Sequence, residues 1–579
     1  MVISNFWSVD DSPSAITFAT TLRFKTGRWR QLRPVYLPKA APCREACPAG
    51  VDMALALEHA SQGRFAEAAQ IIRDENPLAG VCGRVCPHPC EEACNRKEFD
   101  APLAIKEMER FLADQGWESA PPVSSAARKE SRVAVVGSGP AGLSCAYFLS
   151  RLGYRVTLYE ATRQLGGVLR TGIPQYRLPK EALDREIRGI LNTGVQIKLR
   201  KRLGAELRWE ELHGYAAVFL APGFAESRRL NLANEDAAGV ISGIDFLRQV
   251  NERRFRPLGK AALVIGGGDV AVDAGRCALR QGYLQVTIVS LETREEMPAV
   301  AEAVAEAEQE GLKLVCGAAP VKITTRSGAT RAVEFVEGQL TGFGPDGQPR
   351  LEKRPGSGFS IPADLLITAV GQRPELGILP EEVKTGPRGI LVDEWGQTSL
   401  AGVYAGGDVT EAKGTVVAAI ASGKKAALAI DRNLAGKGAE EISQIGVGRK
   451  GSMSFALYIN GEEPSDLSKV VTFADINLDY FENQDRLDPK KAGSKKRLAS
   501  FAEVNLGFGA EDALKEGARC FNCGHCTKCD NCLIFCPDMA ITRDGSVLGY
   551  QINYDYCKGC ALCAQECPRR VVTTIEEQP

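Results

Sequence analysis

Arg132-Val-Ala-Val-Val-Gly137-Ser-Gly139-Pro140-Ala141-Gly142 is an apolar strand that runs into a G-x-G-x-x-G turn. An apolar helical stretch, Leu143 to Gly153, follows, and a second strand, Arg155-Val-Thr-Leu-Tyr-Glu160, ends in an acid 18 residues after Gly142. Each part has a physical task. Gly137 permits the tight turn, Gly139 lets a pyrophosphate approach the backbone, and Gly142 lets helix and strand pack closely. Pro140 and Ala141 open a helix whose unpaired N–H groups face the phosphates. Glu160 is placed to accept from a ribose hydroxyl pair. With strand, helix and terminal acid in order, the stretch specifies a dinucleotide-binding fold.

A second unit reads the same way. Ala261-Ala-Leu-Val-Ile-Gly266-Gly-Gly268-Asp269-Val270-Ala271 leads into a helix and then the strand Gln285-Val-Thr-Ile-Val-Ser290, with Ala271 at the packing position. Glu292 supplies the acid after the strand, and a carboxylate there would repel a 2′-phosphate. That favours NAD over NADP, although Arg294 lies close by in sequence. Strands alternating with helices imply an α/β fold with a doubly wound parallel sheet.

The cysteines divide the rest of the chain. Of 19, six lie between Cys43 and Cys94, ten between Cys520 and Cys567, and only Cys145, Cys277 and Cys316 in the long middle. In a chain of 579 residues without a secretory start, such clusters point to metal rather than disulfides. A net charge of −1 gives no reason to expect nucleic acid as a partner. No apolar run is long enough to span a bilayer, so membrane insertion is not expected and the expected address is the cytoplasm.

At the C-terminal end, Cys526-x2-Cys529-x2-Cys532-x3-Cys536-Pro is followed by Cys557-x2-Cys560-x2-Cys563-x3-Cys567-Pro. This is the bacterial two-cluster run, in which the fourth cysteine of each run ligates the other cluster. Cys526, Cys529, Cys532 and Cys567 would hold one [4Fe–4S] cluster, and Cys557, Cys560, Cys563 and Cys536 the second. Zinc ribbons also use C-x2-C pairs, but rarely two such runs ending in Cys-Pro. Near the N-terminus, Cys43-x3-Cys47-Pro precedes Cys82-x3-Cys86-Pro-His-Pro-Cys90-x3-Cys94, among helical patterns at residues 51–75 and 101–114. The expected organisation is an arm (1–40), a helical iron–sulfur domain and linker (41–130), a first dinucleotide domain in two parts (131–235 and 366–435) around a second (236–365), a surface-wrapping connector (436–519), and a ferredoxin-like domain (520–579).

The ordered set Gly166-Gly167, Thr171-Gly-Ile-Pro, Leu220-Ala-Pro-Gly223, Ala369-Val-Gly371-Gln-Arg-Pro and Val403-Tyr-Ala-Gly406-Gly407-Asp408 resembles the two-dinucleotide flavoproteins. The resemblance implies FAD at the first fingerprint, with Gly167, Gly223, Gly407 and Asp408 contributing. It also implies that the helix beginning near Val416 aims its N-terminus at the isoalloxazine ring, where it favours negative charge. Gly371 falls to the nicotinamide nucleotide. Many such flavoproteins reduce disulfides through a close cysteine pair. Residues 131–435 contain only isolated cysteines, so electrons are expected to leave through the clusters.

The stretches Pro42-Cys-Arg-Glu-Ala-Cys-Pro and Val81-Cys-Gly-Arg-Val-Cys-Pro-His-Pro-Cys-Glu-Glu-Ala-Cys94 resemble the N-terminal domain of the glutamate synthase small subunit family, and the matching domain of dihydropyrimidine dehydrogenase. The likeness covers roughly residues 40–435. In that family a Glu-Ala-x-Arg-Cys-x2-Cys element precedes the first Cys-x3-Cys-Pro. Here residues 28–42 have no cysteine, while Glu516-Gly-Ala-Arg-Cys520-Phe-Asn-Cys523 stands at the far end of the chain. The resemblance implies that this element folds back, giving one cluster on Cys43, Cys94, Cys520 and Cys523 and another on Cys47, Cys82, Cys86 and Cys90. The alternative is that Cys520 and Cys523 are spare.

Together these readings describe an oxidoreductase that exchanges electrons between NAD(H) and up to four [4Fe–4S] clusters through FAD, with no side chain acting as acid, base or nucleophile. The ferredoxin tail and residues 471–480 are similar to the flavin subunit of NAD-linked 2-oxoacid oxidoreductases such as phenylglyoxylate dehydrogenase. The expected partners are then catalytic iron–sulfur subunits, or ferredoxin. A free-standing or bifurcating NAD(P)H:ferredoxin oxidoreductase, a glutamate synthase small subunit, and a wiring subunit with a vestigial flavin site are the other readings.

Overall fold

A computed structural model describes residues 25–116, 127–224, 226–343, 349–410, 414–438, 442, 445–461, 466–545 and 549–577. Parts of the expected arm, linker and connector lie outside the described residues.

Two five-stranded parallel sheets form the middle of the molecule. The first runs in the order Val403–Ala405, Ala217–Leu220, Arg132–Val136, Arg155–Tyr159, Gln196–Lys198. The second runs Lys313–Val315, Gln285–Val289, Ala261–Ile265, Leu365–Thr368, Val240–Ser242. Strand Val403–Ala405 returns to the first sheet after the second is complete, so one fold is nested in the other, as expected. The central strands are buried over nearly their whole length, which is why they read as unbroken apolar runs rather than alternating ones. The expected boundary at residue 365 needs correction. Leu365–Thr368 pairs with Ala261–Ile265 and therefore belongs wholly to the second sheet. The chain crosses back only at Gln372–Arg373, which pairs with Glu226–Ser227.

The N-terminal domain is built from helices Met53–Ser61, Phe65–Glu75, Ala79–Val85 and Ile105–Gly116. Asp52 caps the first by accepting from Leu55 N–H at 3.1 Å. A fifth helix comes from the other end of the chain: Ala510–Ala518 lies against Met53–Ser61, with Gly517 at the contact. Its Glu516 is fully buried and accepts from Ala104 N–H (2.8 Å), Leu487 N–H (3.2 Å) and Arg519 Nη1 (2.7 Å).

The connector runs over the surface through much of residues 482–500 but is also anchored inside the molecule. Met453, Phe455 and Val471 are buried, and Phe455 belongs to the largest core cluster. Two of its charged residues pair with other domains. Lys491 meets Glu306 at 2.8 Å on the second dinucleotide fold, and Glu503 meets Arg84 at 2.8 Å and Arg110 at 3.1 Å on the helical domain. The described end of the arm docks on the ferredoxin-like domain, where Leu32–Tyr36 pairs antiparallel with Val572–Glu576 and Arg30 forks onto Glu577.

One buried ion pair joins three of these parts. Lys424, on helix Val416–Leu434 of the first dinucleotide fold, donates to Glu75 Oε2 (2.6 Å), Ala49 O (2.5 Å) and Met453 O (2.7 Å). Glu75 also accepts from Ser454 Oγ (2.6 Å) and Phe455 N–H (2.8 Å). Lys424→Met would leave the buried Glu75 carboxylate with only the more distant Arg44 guanidinium, at 3.9 Å, as a cation. That should cost about 3–5 kcal/mol and lower the first thermal transition of the holoprotein in calorimetry; an unchanged transition would show that the pair is dispensable.

Candidate functional site

The first fingerprint forms the turn between Arg132–Val136 and helix Pro140–Arg151, with Gly139 at the N-cap. Gly137 has φ +101°, and a Cβ there would strike the Ala221 carbonyl. A Cβ on Gly142 would strike the Gly137 carbonyl, whereas one on Gly139 meets nothing within 4 Å. The glycine facing the expected phosphates thus has open space, and the packing glycine has none. Ala141 and Gly142 are buried under the loop, and Pro140 begins the helix. Glu160 is buried and accepts from Ser138 N–H (3.2 Å) and Thr162 N–H (2.7 Å).

Gly167 lies against Gly139, and Gly407 lies against Ala141 in the short 3-10 turn Gly407–Val409. Asp408, in the same turn, is partly buried, and burial pushes its carboxyl above the ordinary range. Gly223 follows strand Ala217–Leu220 in open space. Helix Val416–Leu434 is capped by Thr415, which accepts from Ala418 N–H at 3.3 Å, so Val416 is its first residue. This helix crosses Pro140–Arg151 at Gly423, where a Cβ would strike the Ala141 carbonyl. Gly423 sets the approach of the two helices; only its small size inside an apolar helix could have signalled it.

The second fingerprint is similar, with one correction. Gly266 N–H bonds Val289 O at 2.9 Å just as Gly137 N–H bonds Tyr159 O at 2.8 Å, so the residue equivalent to Glu160 is Ser290, not Glu292. Glu292 instead reaches back: its carboxylate accepts from Ser290 Oγ at 2.6 Å and lies beside Gly267. Arg294 is held by Glu308 at 2.5 Å. Gly268 faces open space and Ala271 is fully buried. Asp269 opens helix Asp269–Arg280 and accepts from Val300 N–H at 3.2 Å, and Val270 follows it at the partly buried second position. The Gly371 carbonyl accepts from Arg228 N–H at 3.0 Å.

The sixteen motif cysteines gather in four sets. Cys43, Cys94, Cys520 and Cys523 line one cavity with Ala54, Leu57 and Ile105. The displaced C-terminal element therefore sits inside the N-terminal domain, held by Asn522 Nδ2 on Ala54 O (2.8 Å) and by Arg519 on Asp100 (3.2 Å). Burial pushes the Cys520 thiol up to about 12 and that of Cys43 well above the ordinary range, with the neighbouring sulfurs adding to it. Cys47, Cys82, Cys86 and Cys90 influence one another in the same way, and burial carries Cys86 to about 12. In the ferredoxin-like domain Cys526 and Cys532 feel Cys529 and Cys567, while Cys557 and Cys563 feel Cys536 and Cys560, which is the crossed grouping. Buried thiols this reluctant to ionise become thiolates when a cationic centre takes the protons' place, so each donor set fits a cluster. Among the described residues no group of three or more His, Cys, Asp or Glu converges on a single metal ion.

Two further residues enter these sets without a motif. Glu109, on helix Ile105–Gly116, lies by Cys82, Cys86 and Cys90, and burial pushes its carboxyl up to about 8. Asn95 donates to Cys523 Sγ at 3.5 Å and to Val471 O at 3.0 Å.

A model of the pyridine nucleotide-disulphide oxidoreductases matches residues 131–423. The chain belongs to that family. The dihydropyrimidine dehydrogenase domain II 4Fe-4S model matches residues 35–120, and a 4Fe-4S dicluster model matches 525–571; Cys520 and Cys523 fall between the two. The chain is 36% identical over 513 residues to the NADP(+)-dependent formate dehydrogenase subunit beta of Moorella thermoacetica, covering 83% of this chain and 70% of that one. It is 34% identical over 525 residues to the NADPH-Fe(3+) oxidoreductase subunit beta of Geobacter sulfurreducens, covering 83% and 75%. To the glutamate synthase [NADPH] small chain of Escherichia coli it is 34% identical over 409 residues, covering 66% and 87%.

The protein is thus a glutamate synthase small subunit-like member of the family, carrying FAD, NAD(P) and 4Fe–4S domains at both ends. The FAD held at the first fingerprint would supply the coupling of two-electron hydride chemistry with NAD(P)H to one-electron transfer through the clusters. No helix among the described residues is long and apolar enough to cross a membrane.

Proposed function

We propose that the chain is the NAD(H)-facing subunit of a multisubunit oxidoreductase and carries electrons along an unbroken file of four clusters. The observation that carries this reading is the location of Cys520 and Cys523 with Cys43 and Cys94. With that set in place, each sulfur set adjoins the next across a few residues. Helix Val416–Leu434 spans about 12 Å from Val416 to Lys424 at 1.5 Å per residue, and Lys424 holds the Ala49 carbonyl two residues beyond Cys47. Cys47 and Cys43 are four residues apart, as are Cys90 and Cys94, so the first two sets share two turns of chain. Cys523 and Cys526 are three apart and join the second set to the third. Cys532 and Cys536, and Cys563 and Cys567, join the third to the fourth. The proposed ligands are Cys47, Cys82, Cys86 and Cys90; Cys43, Cys94, Cys520 and Cys523; Cys526, Cys529, Cys532 and Cys567; and Cys536, Cys557, Cys560 and Cys563. FAD lies at Gly137–Gly142 with Glu160, Gly167, Gly223, Gly407, Asp408 and Val416, and NAD(H) at Gly266–Ala271 with Glu292 and Gly371. Arg294, spent on Glu308, is left out of the nucleotide site. Cys520→Ser should lose about a quarter of the iron and keep its FAD; full iron would remove Cys520 from the file.

NAD is favoured over NADP because Glu292 faces the glycine loop while the nearby guanidinium of Arg294 is neutralised by Glu308. A 2′-phosphate would meet a carboxylate without a compensating cation. The names of the relatives above specify NADP(+) or NADPH, so the comparison is sharp. With an artificial acceptor, kcat/KM for NADH should exceed that for NADPH by about tenfold or more, or at least about 1.4 kcal/mol. Parity, or preference for NADPH, refutes the assignment.

The partner class we favour is the thiamine-dependent 2-oxoacid oxidoreductases, on the sequence likeness of the ferredoxin tail. The β-subunit relatives, named for formate and Fe(3+), make a formate- or iron-linked partner the competing reading. Gentle anaerobic purification should bring down 2-oxoacid oxidoreductase subunits. Co-elution with a formate dehydrogenase subunit would replace that partner, and elution alone with NADH-driven ferredoxin reduction would make the protein free-standing.

A further inference from the structure

The arm before Cys43 contains no cysteine, yet it reaches a sulfur set at the opposite end of the chain. In the ladder between Leu32–Tyr36 and Val572–Glu576, Tyr36 stands opposite Val572. Leu37 N–H then bonds Val571 O at 2.9 Å, fixing the backbone on the far side of the ring. The ring stacks on Tyr550, with centroids 6.0 Å apart and planes 19° apart. Tyr550 is itself anchored by its hydroxyl on Asp530 Oδ1 at 2.7 Å. So held, the Tyr36 hydroxyl donates to Cys532 Sγ at 3.2 Å.

A phenol keeps its proton at physiological pH and so remains a donor. A hydrogen bond to a ligating thiolate offsets part of the negative charge that a cluster gains on reduction, and so raises its potential. In the other set of the same domain, Cys536 Sγ accepts from Ala540 N–H at 3.3 Å, a contact made by the domain's own backbone. The two cysteine runs have the same spacing; from the N-terminal arm the Tyr36 hydroxyl reaches a sulfur of one run, while Arg30 reaches the Cys557 carbonyl of the other at 3.1 Å.

We propose that Tyr36 is a positioning residue for electron transfer: its O–H···S bond raises the potential of the cluster held by Cys526, Cys529, Cys532 and Cys567. This rests on the ligand sets proposed above. The cluster concerned lies between the N-terminal domain and the fourth set, so its potential governs how readily electrons pass between them. No proton or electron is taken up by the phenol itself.

The test is an EPR-monitored redox titration of the full-length, cluster-loaded protein. Tyr36→Phe should move one midpoint potential to a more negative value and leave the others, the iron content and the FAD content unchanged. Placing 3-fluorotyrosine at position 36, a stronger donor of nearly the same shape, should move the same potential the other way. Unmoved potentials in an iron-replete Phe variant overturn the proposal. If the Phe variant sheds iron, the fluorotyrosine protein decides alone: a positive shift supports the proposal and no shift overturns it. A wild-type protein with no titrating cluster on the C-terminal cysteines would overturn the ligand sets, and this inference with them.

Discussion

The Lys424–Glu75 ion pair is the contact that joins the first dinucleotide fold, the helical domain and the connector. Two opposite charges have been taken out of water, which is tolerable only because both are almost completely satisfied. Lys424 has three acceptors from three different segments, and Glu75 has donors besides the lysine. Helix Val416–Leu434 is thereby fixed to the loop that carries Cys47. The close approach of Gly423 to the Ala141 carbonyl fixes the same helix against Pro140–Arg151.

In the proposed file of clusters, the steps from Cys47 onward rest on covalent spacing. Cysteines three or four residues apart fall in one set at Cys82 and Cys86 and at Cys520 and Cys523, and in neighbouring sets at other positions, so one segment can serve two sets. This device recurs at Cys43 and Cys47, at Cys90 and Cys94, and in both ferredoxin runs. The tail supplies the one link that such spacing cannot, by returning helix Ala510–Ala518 to the N-terminal domain. Fully buried Glu516 holds that helix in place through Ala104, Leu487 and Arg519. The strap before it binds the second dinucleotide fold through Lys491 and the helical domain through Glu503. The nucleotide domain and the cluster domain are therefore fastened by the same length of chain that delivers two of the sulfurs.

Sequence and structure agree where the relevant contacts are local. The glycine fingerprints and the cysteine runs are legible because a tight turn, a helix N-terminus or a three-residue sulfur spacing is decided within a dozen residues. The same locality explains the errors. Glu292 stands near the end of its strand in sequence, but the ladder register assigns that position to Ser290. The expected boundary at residue 365 cut a strand, since nothing in Leu365–Thr368 itself says which sheet it joins. The connector is expected to wrap the surface, and its buried anchors Met453, Phe455 and Val471 cannot be read from its charge pattern.

The sequence by itself determined that this protein has two nested dinucleotide folds and cysteine sets at both ends, because those features are written in short-range steric and ligand spacing. Tertiary structure decided which distant groups meet. It placed Cys520 and Cys523, whose return the family resemblance implied, beside Cys43 and Cys94, and it brought Glu109 into the Cys82 set, Gly423 to the helix crossing, Lys424 to Glu75, and Tyr36 to Cys532. Each of these contacts joins segments far apart in the chain. Local propensity carries no information about such pairs; they are selected by burial and by the need to satisfy every buried polar group.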